Sequence, residues 1–245
     1  MPKQVHILNG DALLEQFPED LSGERIVLRE CLVDGNVKGE NLKELYEVRA
    51  GFLGISEEEY ENHTVSEFKK IEAIPNDFEI NLWFEDDLFY QVNFWFAAHL
   101  LSESENRSPV FLVRPKVHTQ YGFGAYSSDE LEELYNNRQE IIHLKDFQTL
   151  WKHYQENSIE ELTKLSKELS FDFPFLADAV KAHIERIPDE TSEGRPKESI
   201  RKIIKELDSV EFGPVFREFC KRESIYGFGD LQVKRMFDEI LASET

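Results

Sequence analysis

The chain of 245 residues carries 49 acidic against 28 basic side chains, which gives a formal charge of −21 at pH 7. The acidity is spread over both halves, and such a field repels phosphate backbones, so broad binding to nucleic acid or to an anionic membrane is disfavoured. A hydrophobic fraction of 40%, with 19 Phe, is enough for the core of one large domain or two modest ones.

The two cysteines, Cys31 and Cys220, each lie within an apolar pattern and belong to no CxxC or Cys/His cluster. A structural zinc site is therefore not predicted, and two buried thiols favour a reducing cytosol. The N-terminus predicts a strand rather than a secretion signal, and the richest apolar run, 92–101, is too short to span a membrane. We expect a cytoplasmic protein without a membrane segment.

Strands alternate with helices over the first 116 residues. Continuous apolar runs predict strands buried on both faces at 4–9, 25–31, 79–85 and 109–115. Helical spacing predicts helices at 12–17, 41–52, 56–74 and 87–101. This alternation predicts an α/β fold with a Rossmann-like, mostly parallel sheet of about four strands.

The remainder of the chain predicts helices throughout. Capping boxes are predicted for Ser127 with Glu130 and for Ser158 with Glu161, each at the start of a helix. Further helices are predicted at 145–156, 174–187, 197–207, 212–222 and 230–242, with a polar loop at 188–198. We therefore divide the chain into an α/β domain, 1–116, and an all-helical C-terminal domain, 117–245.

The tetrapeptide YGFG occurs twice, at 121–124 and at 226–229, each time before a predicted helix. Two copies so far apart do not form a solenoid period. We interpret both as aromatic–glycine turns that let the backbone pass closely over packed helices.

Ligands of an open parallel sheet bind beyond the carboxyl ends of its strands. The residues predicted there are carboxylates, an amide, glycines and arginines: Asn9, Gly10 and Asp11; Arg29, Glu30, Asp34 and Gly35; Glu85, Asp86 and Asp87; and Arg114. This convergence is the strongest indication of a binding or catalytic site.

The turn Asn9-Gly10-Asp11 would let a ligand anion approach the backbone at a helix N-terminus. No GxGxxG or GxxxxGK[ST] pattern is present, so a standard dinucleotide site or phosphate loop is not supported. The alternative is that Asp11 simply caps the first helix. The turn also resembles the GDS block of serine esterases, but Ala12 stands where their nucleophile would be.

The acidic run 85–87 stands between two apolar runs, so its carboxylates need a partner, a cap or a ligand. Either Asp86 or Asp87 would cap the helix that follows. Glu85 would hold a hard cation such as Mg²⁺ together with acidic residues of other strands, namely Asp11, Glu30 or Asp34. The alternative, which we favour, is a structural ion pair with one of three arginines, Arg29, Arg49 or Arg114.

Histidines show no metal-binding spacing. His6 lies within the first strand and is expected to be a hydrogen-bonded core residue rather than a catalyst. His118 and Gln120 lie in the interdomain loop beside the first YGFG, where a ligand would contact both halves.

The last two predicted helices would form a helix-turn-helix with a small basic face, Lys221, Arg222, Lys234 and Arg235. The net charge and the many neighbouring acidic residues argue against DNA binding. A nucleic-acid partner is therefore the least favoured alternative.

Several blocks resemble a bacterial family to which no activity has been assigned. They are HILNGD, IVLRECLVDG, RAGFL and LWFEDDLFYQVN in the first half, and YGFGAYSSDELEELYNNRQ, FPFLADAVKAHIERIP and YGFGDLQVKRM in the second. Members of that family often carry Pro after the glycine that matches Gly35, whereas this chain has Asn36. The resemblance implies a cytosolic bacterial protein, and it marks His6, Gly10, Asp11, Arg29, Glu30, Gly35, Arg49, Trp83, Glu85 and Asp87.

The first of three functional hypotheses is an enzyme or binding protein for a phosphorylated small molecule or nucleotide. Its acid/base or metal-binding groups would be Asp11, Glu30 and Glu85, with Mg²⁺ as the metal. Its ligand-binding residues would be Asn9, Gly10, Arg29, Asp34, Gly35, Arg49, Asp87, Arg114, His118 and Gln120. The second hypothesis is a non-catalytic interaction or regulatory protein whose helical half docks a protein partner. The third is a transcription-associated module.

Overall fold

A computed structural model describes residues 2–104 and 106–243. Its centre is a five-stranded sheet with the order β2-β1-β3-β4-β5. The strands are β1 (Lys3–Asn9), β2 (Glu24–Leu28), β3 (Phe78–Trp83), β4 (Val110–Val113) and β5 (Gln139–Glu140). The first four are parallel, and β5 runs antiparallel to β4. The predicted α/β class is confirmed.

The strand order reverses direction between β1 and β3, which makes the crevice beyond their carboxyl ends the topological switch point. Ile7 in the middle of β1 is aligned with Ile26 of β2 and with Leu82 of β3, and all three are buried. Burial on both faces explains why these strands read as continuous apolar runs.

The helices of the first half are α1 (Asp11–Glu15), α2 (Leu42–Leu53), α3 (Glu57–Tyr60), α4 (Ser66–Glu72) and α5 (Leu88–Glu103). A π-helical turn, Glu61–Val65, joins α3 to α4, so the single helix predicted at 56–74 is interrupted. No helix in the two described ranges is long and apolar enough to cross a membrane.

The second half contributes α6 (Ser128–Asn136), α7 (Leu144–Glu156), α8 (Ile159–Leu169), α9 (Phe175–Glu185), α10 (Arg195–Leu207), α11 (Phe212–Arg222) and α12 (Asp230–Ser243). Short 3₁₀ turns at Gly122–Ala125 and Ser224–Tyr226 precede α6 and α12. The prediction of helices throughout is wrong at β5, a strand of two residues that is too short to show a period.

One of the two predicted capping boxes is present. The Ser127 side chain accepts from the Glu130 backbone, and the Glu130 side chain accepts from the Ser127 backbone. Ser158 makes no capping bond, so the second predicted box is wrong. The same sequence pattern fails there because the backbone at Ser158, with ψ 74°, departs from the extended conformation that an N-cap needs.

Helix α5 lies inside the molecule, between the sheet and the helical half. Its Phe94 ring is 4.6 Å from the Phe147 ring of α7, and its Trp95 ring is 6.0 Å from that of Tyr154. A helix covered on all sides is apolar on all sides, as the sequence of α5 is. The two predicted domains therefore share one hydrophobic core, and their division near residue 116 stays a prediction.

Candidate functional site

The acidic run lies at the carboxyl end of β3, in the short loop before α5, and all three of its side chains are buried. Asp87 caps α5 by accepting a hydrogen bond from the Tyr90 backbone (3.0 Å), which confirms the predicted cap. Asp86 accepts a bidentate pair of hydrogen bonds from the Arg114 guanidinium, which also lies over the Phe175 ring. These two carboxylates therefore have structural roles.

Glu85 is held differently. One of its oxygens accepts from the Phe123 backbone N–H (2.8 Å), and its other polar neighbour is the Tyr90 hydroxyl. Within the described ranges it has no lysine or arginine partner, so the ion pair that we favoured for it is wrong. The three candidate arginines, Arg29, Arg49 and Arg114, bind Asp11, Glu30 and Asp86 instead.

Two of these buried carboxyls, Glu85 and Asp87, have pKa values above those of ordinary carboxyl groups. Burial raises the pKa of Glu85 to about 7, against an ordinary value of 4.5, and the hydrogen bond from Phe123 opposes this rise only in part. Burial, and then the neighbouring charge of Glu85, raises the pKa of Asp87 well above its usual range. The two groups are close enough to titrate as a pair.

The first glycine of each YGFG copy lies in close contact with one of these two carboxyl groups. Gly122 has φ +49°, and a Cβ there would lie 1.6 Å from Oε2 of Glu85. Gly227 has φ +62°, and a Cβ there would lie 2.1 Å from Oδ1 of Asp87. The predicted close-approach turns are present: Gly122 lies against the Glu85 carboxyl, and Gly227 lies against Asp87 and Phe89 at the start of α5.

A cavity of about 180 Å³ opens at this point, and we call it the carboxyl pocket. Its lining comes from the start of α5, from the loop before the first YGFG, and from α11 with the second YGFG: Glu85, Asp87, Tyr90, Thr119, Gln120, Tyr121, Phe219, Cys220, Glu223, Ser224, Gly227 and Phe228. No lysine or arginine occurs among these lining residues. The charge that the protein presents to a ligand here is therefore negative or neutral, according to pH.

Two residues predicted from the interdomain loop lie at this pocket. Gln120 lines it, and the His118 ring accepts from or donates to the Ser224 hydroxyl (Nε2 to Oγ, 3.0 Å), which lines it as well. This contact ties the loop to the turn after α11. The pocket is thus walled by both halves of the chain, the arrangement expected for His118 and Gln120.

The other predicted acidic residues lie elsewhere and are engaged. Asp11 does not cap α1, whose cap position is Gly10; instead it takes a bidentate pair of bonds from Arg29 on an exposed surface. Asp34 pairs with Arg235. Across residues 2–104 and 106–243, no three His, Cys, Asp or Glu side chains are grouped to hold a metal, so the predicted Mg²⁺ set of Asp11, Glu30, Asp34 and Glu85 is not assembled.

Glu30, in the loop after strand β2, forms a fully buried ion pair with Arg49 of α2. Arg49 Nε lies 2.6 Å from Glu30 Oε1, and the side chains are 0% and 1% exposed. The Tyr60 hydroxyl donates to the same carboxylate (3.0 Å), and Arg49 also donates to backbone carbonyls such as that of Cys31. With so many partners inside the core, the pair serves to hold the loop after β2.

The remaining positions have local structural reasons. Asn9 accepts from the Asn93 amide (2.8 Å) under the first turn. Gly10 has φ +92° in that turn, and Gly35 has φ +78° directly against the Phe52 ring. His6 accepts from the Trp83 indole N–H (3.1 Å) and lies 3.3 Å from the Ser22 carbonyl, and burial lowers its pKa to about 4. The expected core role of His6 is confirmed.

The four residues of the predicted basic face on the last two helices are also paired. Lys221 and Arg222 bind Glu218, Lys234 binds Asp238, and Arg235 binds Asp34. Neutralised in this way, they add no support for the DNA-binding hypothesis, which stays a prediction.

Several lining residues were missed by sequence reasoning, chiefly Tyr90, Cys220, Ser224 and Phe228. The repeated YGFG was the one signal that marked part of this wall, since its second copy contains Phe228 and closely follows Ser224. Both cysteines are free and half-buried, and burial raises the pKa of each thiol.

Comparisons of the chain with protein-family models, with curated proteins and with solved structures returned no match. The resemblance to a bacterial family through the blocks around LWFEDDLF therefore stays a prediction.

Proposed function

We propose that the protein is an enzyme acting on a small organic molecule, with Glu85 as its general acid and base in the carboxyl pocket. The observation that carries this proposal is a buried carboxyl group with a pKa of about 7 that faces a cavity and has no cationic partner among the residues that the structure describes. A group that gains and loses its proton near neutral pH is well matched to proton transfer during catalysis.

A purely structural role is a weaker account of Glu85. Burying a carboxyl group without a cation is costly, and the ordinary structural solution is an ion pair like that of Glu30 with Arg49 in this chain. Two left-handed glycines are also placed directly against Glu85 and Asp87. The buried carboxyl, which has no cationic partner in the described part of the chain, and the two left-handed glycines all lower the stability of the fold at one place. Such a concentration of unfavourable features is typical of functional sites.

The part of the ligand that enters the carboxyl pocket is neutral or cationic. The lining residues carry carboxyl, hydroxyl and amide groups and no lysine or arginine. Arg29 and Arg114, which were expected to take a phosphate, are bound to Asp11 and Asp86. A hydroxyl, carbonyl or amino group fits this lining, whereas a phosphate group would meet carboxylates of its own sign.

The setting proposed for this activity is the bacterial cytoplasm. The expectation comes from the two separated cysteines, both of which are free thiols, and from the family resemblance. Mg²⁺ stays a predicted cofactor for the reaction, and it enters the experiment below as one of the additions.

A thermal-shift panel tests the proposal. Small hydroxy, keto and amino compounds, with and without Mg²⁺ or Mn²⁺, are added to wild type, Glu85→Gln and Glu79→Gln. Glu79 lies near the start of β3 and pairs with Arg138, whereas Glu85 follows the end of that strand, so Glu79→Gln controls for the loss of one carboxylate. A ligand that binds the native state raises the melting temperature by mass action.

We expect at least one compound to stabilise wild type and Glu79→Gln but not Glu85→Gln, and to be converted by wild type alone. A compound that stabilises all three proteins equally, or one that is converted equally well by Glu85→Gln, would overturn the proposal. The absence of any shift across the panel would also count against it.

A further inference from the structure

A second cavity, of about 250 Å³, adjoins the carboxyl pocket, and we call it the arginine pocket after Arg186. Its apolar wall is formed by Phe228, Met236 and two prolines, and its polar wall includes Gln232. It lies between the loop before α10 and the helix α12.

Phe228 is a wall residue of both cavities. It belongs to the second YGFG, in which Gly227 lies against Asp87 on the side of the carboxyl pocket. The side chain is half-buried and follows a left-handed glycine. Each cavity alone is smaller than the range of roughly 300–1,000 Å³ that is usual for small-molecule sites, whereas the two together fall within it.

The charges around the arginine pocket are balanced with one exception. Arg235 pairs with Asp34, Lys197 pairs with Glu239 (2.6 Å), and Glu193 pairs with Arg201, which lies outside the pocket. In the described part of the chain, Arg186 has no carboxylate within ion-pair distance.

The Arg186 guanidinium is oriented by three neutral acceptors. It donates to the Val33 carbonyl (2.7 Å), to the Tyr154 hydroxyl (3.0 Å) and to Nδ1 of His183 (3.2 Å). These bonds use three of its five N–H groups and leave its charge uncompensated. Burial, and after it the charge of Arg186, lowers the pKa of His183 to about 3. A fixed, unpaired guanidinium in a partly apolar cavity is the usual receptor for an oxyanion.

We propose that the arginine pocket binds the anionic group, a carboxylate or a phosphate, of the same small molecule whose reacting part lies at Glu85. The substrate class is then an anionic metabolite with a neutral or cationic reacting group a short distance from its anion. This inference rests on the proposed function of the carboxyl pocket. An anionic ligand, as the sequence predicted, is thus proposed again, but Arg186 binds its anionic group in place of Arg29 and Arg114.

Binding of inorganic phosphate and of acetate, followed by ¹⁵N NMR of backbone and arginine side-chain signals, tests the site itself. The variants are Arg186→Gln, which removes the charge, and Gln232→Glu, which adds a like charge to the pocket wall while its oxygen still accepts from the Gly229 backbone. Arg222→Gln on α11 is the control, since it changes the net charge by the same amount at an exposed residue that lines neither pocket.

We expect one of the two anions to bind wild type and Arg222→Gln alike, and to bind Arg186→Gln and Gln232→Glu about tenfold more weakly. Arg186→Gln removes the charge that attracts the anion, and Gln232→Glu adds a charge that repels it. The stronger of phosphate and acetate identifies the anionic group of the substrate. Equal binding to Gln232→Glu and wild type, or no binding of either anion to wild type, would overturn the anion site even if Arg186→Gln fails to fold.

The shared ligand is tested with matched pairs of compounds, with and without a phosphate or carboxylate, chosen from those that need Glu85 for their thermal shift. We expect the anionic member to bind more tightly, and Gln232→Glu to remove that gain. If Glu85 is needed but the anionic member gains nothing, this inference fails and the proposed function stands. If phosphate binds at Arg186 while Glu85→Gln changes nothing, the proposed function fails and the shared-ligand claim falls with it.

Discussion

Gly122 and Glu85 are in contact so close that no side chain fits between them: a Cβ on Gly122 would lie 1.6 Å from the Glu85 carboxyl. The neighbouring Phe123 N–H donates to the same carboxyl group, so the first YGFG both covers and orients Glu85. The second copy repeats the contact between Gly227 and Asp87. A duplicated tetrapeptide therefore frames a pair of buried acids.

Replacing either glycine by alanine should disturb the pair. Both have positive φ, so Gly122→Ala and Gly227→Ala add backbone strain as well as a clash with a carboxyl oxygen. We expect each to lower the free energy of unfolding by about 1–3 kcal/mol in urea titrations and to abolish the ligand shift that depends on Glu85. Gly124→Ala is the matched control, since its Cβ meets nothing and its φ is ordinary; a loss as large in Gly124→Ala would contradict the role given to the contacts.

Because the pKa of Glu85 is raised in the folded protein, the free energy of unfolding should fall as the pH rises. The folded protein holds the Glu85 proton up to about pH 7, whereas the unfolded chain releases it near 4.5, so stability falls as pH rises through this interval. The gap between these two values corresponds to about 3 kcal/mol, and the raised pKa of Asp87 adds loss of the same sign.

Glu85→Gln should therefore be more stable than wild type at about pH 8 and nearly equal to it at about pH 5. Urea denaturation at a series of pH values checks this, with Glu79→Gln expected to keep the wild-type slope. A Glu85→Gln protein that is less stable than wild type at the higher pH would show that the ionised carboxylate holds the fold together.

The two arginine–carboxylate pairs formed by Arg29 and Glu30, directly after strand β2, should differ greatly in energy. The Arg49–Glu30 pair is fully buried, so Glu30→Gln leaves an uncompensated buried guanidinium and should cost about 3–5 kcal/mol. The Arg29–Asp11 pair is more than one third exposed on both sides, so Asp11→Asn should cost less than about 1 kcal/mol. Chemical denaturation of both variants measures the two losses of stability. Equal losses for Glu30→Gln and Asp11→Asn would contradict the roles given to the two pairs.

The two Ser-x-x-Glu sequences offer a second matched comparison. Ser127→Ala removes a complete capping box and should cost about 1 kcal/mol. Ser158→Ala removes no capping bond and should cost a few tenths at most. Melting of the two variants in parallel measures the difference, and a larger loss for Ser158→Ala would contradict the observed cap geometry.

Sequence reasoning found what depends on local pattern. The runs around Ile7, Ile26 and Leu82 predicted buried parallel strands because burial on both faces leaves a continuous apolar signature. The cap at Asp87 followed from its position before a helical pattern. Strand β5 escaped notice because two residues cannot show a period, and the Ser158 box failed because cap geometry depends on a backbone angle that the pattern does not encode.

The sequence could not predict which arginine pairs with which carboxylate at the site, because these pairings depend on contacts between residues far apart in the sequence. Six carboxylates and two arginines at the strand ends, together with Arg49 of α2, allowed many pairings. Only the three-dimensional fold shows that, among the described residues, Glu85 has no arginine partner. Arg186 had no signal at all, since it comes to its place through the packing of α9 against the loop after β2. The repeat of YGFG was visible, but not the carboxyls that it covers.

The most direct test of the central claim is the titration of the Glu85 side chain itself, followed by ¹³C NMR of its carboxyl carbon, with Glu85→Gln used to assign the signal. The account predicts a midpoint near pH 7, and a shift of that midpoint when a compound occupies the carboxyl pocket. A midpoint close to the ordinary value of 4.5, unchanged by every compound that binds, would contradict the assignment of Glu85 as the group that exchanges a proton with the ligand.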